Sequence, residues 1–490
     1  MRLHLSALVL ALAAAGCTQL PTAATSPATA PVAAGAYLSS IAPDALRAHV
    51  KYLASDELEG RGTPSRGQDL ATDYIAAQFR KAGLEPAGDD GYFQTAHWQY
   101  AERKPEDVSL SVSAGGSTVT VPAGGATGGF LDAVSLASTP AVYMGWKEAL
   151  ENSEAANGKV LVVPAAPVPG AVRQLQEKLR SKPALVIMID REKRHGAGTG
   201  GWLVNPEQPA VKGAPQVLVL HAADAAAALE KGGASVTARV AAVALRSVKL
   251  RNVVGVLRGS DPSLKNSYVL MTAHHDHVGI RNGEVYNGAN DDASGVASVI
   301  GAAEALAARK ERPRRSMVFM TLWGEEMGML GSKYYARHPV FPLKDTVAMI
   351  NLEQTGRTDD SEGQQLNSVA MTGFDFSTVG EMLKKSAEQT GIRLWKHASF
   401  SDQFFGRADN QSLADAGVPA HTLSVAYGFP DYHGKDDTWD KLDYDNMARV
   451  TRMLAQGMYD IADNPVRPAW TDAPKAAGYA AKGRALLAAP

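Results

Sequence analysis

The stretch Ala273-His274-His275-Asp276-His277 sets three histidines around one aspartate, directly after an apolar run at 268–273. One histidine at the end of a strand is ordinary surface chemistry. Three at this density suit a metal ion held through imidazole nitrogen, and an aspartate two residues from His274 can accept its second ring proton and fix the tautomer. Asn287-Gly-Ala-Asn-Asp291-Asp292-Ala-Ser-Gly295 puts adjacent acids beside glycine. Alone it reads equally as a turn with a helix N-cap or as a carboxylate that bridges two ions. In Trp323-Gly-Glu325-Glu326 two acids follow a second apolar run. Both cannot enter a hydrophobic core unpaired, because burying such charges is costly. They are either a solvated loop or a metal ligand beside a general base. Asn351-Leu-Glu353 and Tyr432-His433-Gly-Lys-Asp-Asp437-Thr438 add a further acid and a further histidine. Each stretch is unremarkable by itself, and the weight lies in the set: histidines His274 and His433, a bridging acid Asp291, and terminal acids Glu326 and Glu353. Two zinc ions would bring four positive charges against the three negative ones of Asp291, Glu326 and Glu353. The remaining charge favours ionising a bound water near neutral pH.

These residues need a scaffold that brings them together. From Asn252 onward apolar runs at 268–273, 317–323, 347–352 and 419–425 alternate with helical spacing, marked by Val296, Val299, Ile300, Ala303 and Leu306. Continuous apolar runs are the mark of strands buried on both faces, and open α/β sheets carry their sites outside the carboxyl ends of such strands. The pattern therefore predicts one composite site at one sheet edge. Upstream, residues 42–82 read as a helical region, with apolar helical spacing at 70–79 and Gly83 as its stop. Residues 106–243 have a different texture: an alternating Ser/Gly-rich stretch at 108–121, short apolar runs at 160–163, 185–189 and 217–220, and a helix near 172–179. This region holds no catalytic constellation. From about Val466 the chain turns Ala/Pro-rich, which reads as a peripheral tail.

With 490 residues the chain is too long for one ordinary core, and a formal net charge of −2 without a basic run gives nucleic acid no footing. Arg2 and the apolar stretch at 5–15, too short to span a bilayer, read as a targeting segment. It ends in Ala-Ala-Gly-Cys17, which resembles the bacterial lipobox, although Ala14 stands where a branched residue is usual. That resemblance implies an acylated Cys17 and an exported, periplasmic or cell-envelope lipoprotein with a lipid anchor to a bacterial membrane. Residues 18–37, rich in Ala, Pro, Thr and Ser, read as a tether. Cys17 is the only cysteine. An intramolecular disulfide, a Cys-based zinc site and a thiol nucleophile are all excluded, so any metal must be held by His, Asp and Glu.

The combination resembles the co-catalytic di-zinc aminopeptidases, a family that includes bacterial leucyl aminopeptidases, vacuolar aminopeptidase Y, glutamate carboxypeptidase and the glutaminyl cyclases. The metal motifs stand in family order and spacing, and Tyr52-Leu-Ala-Ser-Asp-Glu-Leu-Glu-Gly-Arg61-Gly matches a segment that bacterial members often carry. The resemblance implies a three-layer α/β/α zinc-exopeptidase fold with a mixed, largely parallel sheet, formed by residues 38–105 and 244–465. It also implies a β-rich insert at 106–243 similar to a protease-associated domain, with a signal segment at 1–17 and a tail at 466–490 outside both. It implies two zinc ions per chain, one with His274 and Glu353, the other with Glu326 and His433, bridged by Asp291 with Asp292 beside it. Glu353 stands where many members have Asp. Asp276 would orient His274, Glu325 would be the general base, and Tyr432 would stabilise the oxyanion. Arg407-Ala-Asp409-Asn410 resembles the family's Arg-Ser-Asp-His segment near the substrate, with two of four positions changed. The implied reaction is removal of N-terminal residues from peptides by a metal-bridging hydroxide. A carboxypeptidase, a glutaminyl cyclase, a dinuclear phosphoesterase and a non-catalytic receptor-like homologue are the competing readings.

Overall fold

The computed structural model describes residues 35–168, 170–179, 181–192, 201–208, 211, 213–359 and 363–489. The apolar N-terminal stretch, Cys17 and nearly all of the 18–37 tether lie outside these residues. The chain builds two large sheets. The strands of the larger are β1 (Phe93–Glu102), β2 (Gly201–Val204), β3 (Leu245–Leu257), β4 (Tyr268–His274), β5 (Ser316–Leu322), β6 (Thr346–Glu353), β7 (Ser368–Met371), β8 (Arg393–Trp395) and β9 (Ala420–Ser424). They lie in the order β8-β7-β9-β6-β4-β5-β3-β1-β2, and the short pair Glu85–Pro86 adds to β3. The inner four, β5, β4, β6 and β9, run parallel, and antiparallel pairs flank them through β3 and β7.

The apolar runs become this parallel centre because every residue of β4 and β5 is buried. Alternate side chains serve opposite faces. Val269, Met271 and Ala273 join one hydrophobic cluster, whereas Tyr268 and Leu270 join another. The first cluster is closed by helices α1 (Pro43–Leu53), α2 (Arg66–Ala82), α3 (Ser294–Ala308), α5 (Val379–Thr390) and α7 (Tyr444–Asp463). The second is closed by α4 (Leu330–Arg337), α6 (Asn410–Asp415) and α8 (Ala477–Ala488). The part of the chain around the larger sheet is therefore a three-layer α/β/α arrangement with a mixed sheet. The ends of its helices are set locally. Ser65 accepts from the amide of Gln68 at the start of α2, Gly83 closes that helix in the left-handed conformation, and Asp443 accepts from the amide of Asn446 at the start of α7.

Two details differ from the reading of the sequence. The helical region 42–82 is two helices, separated by a 3-10 segment at Asp56–Arg61 and a cis Thr63-Pro64 bond. The segment after Val466 is packed rather than peripheral. Trp470 donates to the carbonyl of Gly417 and stacks on Tyr479 of α8, and Phe405 lies edge-on to Tyr479.

The second sheet has eight strands and its own hydrophobic core, with Val160, Val162, Leu185, Ile187, Leu218 and Leu220 fully buried in it. All its strands lie between Val108 and Val240. One strand of the same stretch departs from it: β2 pairs antiparallel with β1 and forms the outer edge of the larger sheet.

Candidate metal centre

Register brings the predicted residues to one edge. His274 ends β4 opposite Leu322 of β5, and Glu353 ends β6 opposite Ser424 of β9. Glu325 and Glu326 follow β5 directly, and His433 lies in the loop that leaves β9. Beneath this edge a row of hydrogen bonds ties the parallel strands. Thr272 donates to Asn351 Oδ1 at 2.7 Å, Asn351 Nδ2 donates to Thr422 Oγ1 at 3.1 Å and to Glu353 Oε1 at 3.1 Å, and Thr422 donates to Asn410 Oδ1 at 2.8 Å. Each carboxyl or amide here meets a partner because an unpaired one in such a place is costly.

Asp291 is the hub. Its Oδ1 lies 3.3 Å from His274 Nε2, and its Oδ2 lies 3.2 Å from His433 Nε2. His433 Nε2 is also 3.2 Å from Glu326 Oε2. The Asp291 loop is fixed from behind by Asp437, whose carboxylate accepts from the amides of Asn290 at 3.0 Å and Asp291 at 3.1 Å. Asp292, joined to Asp291 by a cis peptide bond, accepts from the amides of Gly295 and Gln354, each at 3.0 Å. It thereby caps α3 and links that helix to the strand end that carries Glu353. A Cβ on Gly295 would lie 2.4 Å from the Asp292 carboxylate, so only glycine fits.

Asp276 works on two neighbours. His274 Nδ1 donates to its main-chain carbonyl at 3.1 Å, with the carboxylate 3.7 Å away. The carboxylate itself accepts from the amides of Glu325 at 3.0 Å and Glu326 at 3.4 Å. It fixes the turn that bears those two acids as well as the histidine. Arg61, 1 % exposed, donates to the carbonyls of His275, Asn287 and Gly288. One buried guanidinium therefore joins the His274 loop to the Asp291 loop.

The electrostatics follow from burial and from the pairing of unlike charges. Burial opposes ionisation of Asp291, yet hydrogen bonds from His274 and His433 hold it well below the usual carboxylate range. Burial and Asp291 push Glu326 up, but His277 and His433 outweigh them and bring it down to about 2. Burial raises Glu353 to about 8 and Asp409 to about 6, and it lifts Glu325 well above the ordinary value. Tyr432 stacks on His433, and its hydroxyl is raised by partial burial and by the surrounding acids.

The structure thus brings His274, Asp291, Glu326 and His433 into direct contact, with Glu353, Glu325 and Asp276 around them. Arg407 does not join them. It is exposed, with its guanidinium over the ring of Phe404, and no hydrogen bond or ion pair connects it to the cluster among the described residues. Reading the sequence gave no role to His277, whose Nδ1 lies 2.8 Å from Glu326 Oε1, or to Asp437. The density of the His274–His277 motif was the available signal for the first. No local signal marks the second, which acts across 146 residues.

Comparison with known proteins agrees with this architecture. Two solved structures share the fold. An aminopeptidase from Aneurinibacillus sp. strain AM-1 superposes with a TM-score of 0.62 at 21% identity, covering 88% of this chain and 96% of that one. A zinc aminopeptidase from Bacillus subtilis gives 0.54 at 16% identity, covering 87% and 97%. Among curated sequences, a "Probable zinc metalloprotease" of Pyrenophora teres f. teres is 30% identical over 265 residues, 45% of this chain and 53% of that protein. A "Vacuolar membrane protease" of Lachancea thermotolerans is 31% identical over 174 residues, 31% of this chain and 17% of that protein. A "Probable leucine aminopeptidase" of Trichophyton verrucosum is 27% identical over 224 residues, 42% and 57% respectively. The chain thus spans between 17% and 57% of the length of these three curated relatives. Residues 252–458, which carry every ligand candidate named above, match the model of peptidase family M28.

Proposed function

We propose that this protein is a zinc-dependent aminopeptidase that takes two zinc ions per chain and releases N-terminal residues from peptides. The observation that carries the reading is the convergence of His274, Asp291, Glu326 and His433 at the carboxyl edge of the parallel strands, with Glu325 beside them. The donor set fits zinc. Zinc–ligand bonds of about 2.0–2.1 Å in a tetrahedron put neighbouring donors roughly 3.3 Å apart. The contacts of Asp291 with the two histidines, 3.3 and 3.2 Å, match that spacing. Glu326 Oε1 is buried without a hydrogen-bond partner, as a ligand atom awaiting an ion would be. His274, Glu353 and Asp291 would hold one ion, and Glu326, His433 and Asp291 the other. When bound, zinc polarises a carbonyl and makes water a stronger acid.

The protein's own groups supply the rest. Glu325 has its carboxyl raised by burial, which suits a group that takes a proton from water and passes it to the leaving amine near neutral pH. Asp276 keeps it in place through the amides of the turn. Tyr432, 48 % exposed and stacked on His433, can donate its hydroxyl to the carbonyl oxygen as charge develops there. Polarity follows from charge. The acids Glu325, Glu353 and Asp409 surround the site, whereas Arg407 is turned out over Phe404. An α-ammonium group fits such surroundings, and a free α-carboxylate lacks the cationic partner it needs.

The same reading makes residues 106–243 a protease-associated domain. It also makes the chain an exported lipoprotein anchored through Cys17. No helix among the described residues is long and apolar enough to cross a membrane. The test is zinc content measured together with a panel of free, N-acetylated and C-amidated peptides. Cleavage of free but not acetylated peptides is expected. Equal cleavage of both, with sensitivity to C-terminal amidation, would make the enzyme a carboxypeptidase.

A further inference from the structure

His277 is the one residue of the histidine cluster that neither the strand edge nor the proposed ligand set accounts for. His274 faces Asp291, and His275 turns the other way, with its Nδ1 at 3.1 Å from Thr321 Oγ1. His277, 1 % exposed, points at the acids. Its Nδ1 is 2.8 Å from Glu326 Oε1 and 3.9 Å from Asp291 Oδ2. One donor atom from each of these three residues falls within a sphere small enough for a single ion, all within 4.8 Å of one another. The ring of His433 stands edge-on to that of His277, 5.6 Å away between centroids.

The ring is held as a ligand would be. The amide of His277 donates to the carbonyl of Arg61 at 3.2 Å. The ring lies against Gly288, where a Cβ would come within 2.5 Å of the imidazole Cγ and Cδ2, and whose φ of +59° itself favours glycine. The Gly288 carbonyl is in turn held by Arg61 at 2.9 Å. So the loop that carries Asp291 is shaped around this imidazole. Yet neither ring nitrogen of His277 has an aligned hydrogen-bond partner, and neither does Glu326 Oε1 facing it. Nδ1 and Glu326 Oε1 are close but not aligned as a hydrogen bond, so a firmly positioned imidazole and the carboxylate oxygen facing it converge on one point where a common partner would satisfy both.

We propose that this partner is a metal ion: His277 Nδ1 is a direct donor to the ion held by Glu326, His433 and Asp291. The inference rests on the zinc reading above and deepens it. One position then has four protein donors, two imidazoles and two carboxylates, and the other has three, His274, Glu353 and Asp291. The imidazole binds as its neutral form, with the lone pair on Nδ1 and the proton on Nε2. The two positions are unequal, so the four-donor position fills first.

The test compares wild type, His277→Phe and His277→Asn, each stripped of metal and then titrated with zinc against a competing chelator and with cobalt(II). Wild type should take up two ions in two resolved steps. Both variants should bind the first ion at least about tenfold more weakly, since a lost donor should cost no less than the roughly tenfold that disturbing an outer-shell partner brings. Their visible cobalt bands at one equivalent should be more intense than those of wild type, because losing a donor lowers the coordination number. The asparagine amide can still donate to Glu326 from near the place of Nδ1. If His277→Asn keeps wild-type zinc affinity and the wild-type cobalt spectrum while His277→Phe loses them, His277 only orients Glu326 and the proposal is wrong. The wild-type cobalt spectrum decides even if a variant misfolds: bands of three-protein-donor intensity at the first equivalent also overturn it. Failure of the two-ion reading is seen separately, as wild-type saturation at one zinc, and the spectral comparison at that one ion still decides for or against His277.

Discussion

Replacing Asp276 by asparagine tests whether the turn bearing Glu325 is held by charge. The carboxylate accepts two main-chain amides, from Glu325 at 3.0 Å and Glu326 at 3.4 Å, in a fully buried setting. Asparagine keeps one oxygen, which can stay on the Glu325 amide, but its NH2 then faces the amide of Glu326. Leaving that donor unpaired costs about 1–3 kcal/mol. The retained bond loses its ionic character, roughly half of the 1.5–3 kcal/mol such bonds contribute. The sum is about 2–4 kcal/mol against the turn. At roughly 1.4 kcal/mol per tenfold, a turn that rearranges locally would be in place 30- to 1000-fold less often. Peptide hydrolysis measured as kcat/KM should therefore fall at least about tenfold. Zinc binding at the position of Glu326 should weaken as well, read by chelator competition. A variant within about twofold of wild type in both measurements would refute the argument that Asp276 holds this turn.

Glu325→Gln should keep its zinc and lose at least about a hundredfold in turnover, the lower range for removing a general base, and near-normal turnover of the loaded variant would take Glu325 out of that role. Chelator-treated protein should lose stability as pH rises from about 6.5 to 8. Glu353, raised to about 8, and His433, raised to about 10, hold protons in the native state that the unfolded chain has already lost below this range for the glutamate and loses early in it for the histidine. The buried His49 and His421, lowered to about 4, act with the opposite sign, but their effect fades by about pH 7.5, once the unfolded histidines have finished titrating. Urea melts that show stability flat or rising over that interval would contradict the sign. Cys17→Ser should release the protein from membranes, and full retention in the membrane fraction would count against a lipid anchor.

The sheet centre was legible because β4, β5, β6 and β9 are buried on both faces, which made their sequences mostly apolar, with the few polar residues paired across the strands. Their carboxyl ends then had to hold the polar residues that followed. Less was legible where long-range geometry decides. Side-chain direction three residues past a strand end no longer obeys the two-residue period, so His277 could not be separated from His275 by pattern. Asp437 meets Asn290 only through the fold. Residues 42–82 read as a helical region, and Gly60, Gly62 and Pro64 mark the break that divides it into two helices. The Ala/Pro-rich end concealed Trp470 and Tyr479, two large, partly buried rings whose stacking outweighs the composition around them.

The pairing of β2 with β1 bears on any attempt to trim the protein. A deletion of 106–243, which looks like the removal of a self-contained module, would also strip the outer strand from the larger sheet. Gln99 to Glu102 would then present open amide and carbonyl groups to water along a half-apolar ribbon that includes Tyr100 and Ala101. Such an edge is a template for pairing with another molecule. The shortened protein would self-associate through it, even with the site intact, unless the excision spared Gly201–Val204 or charged residues were placed along β1.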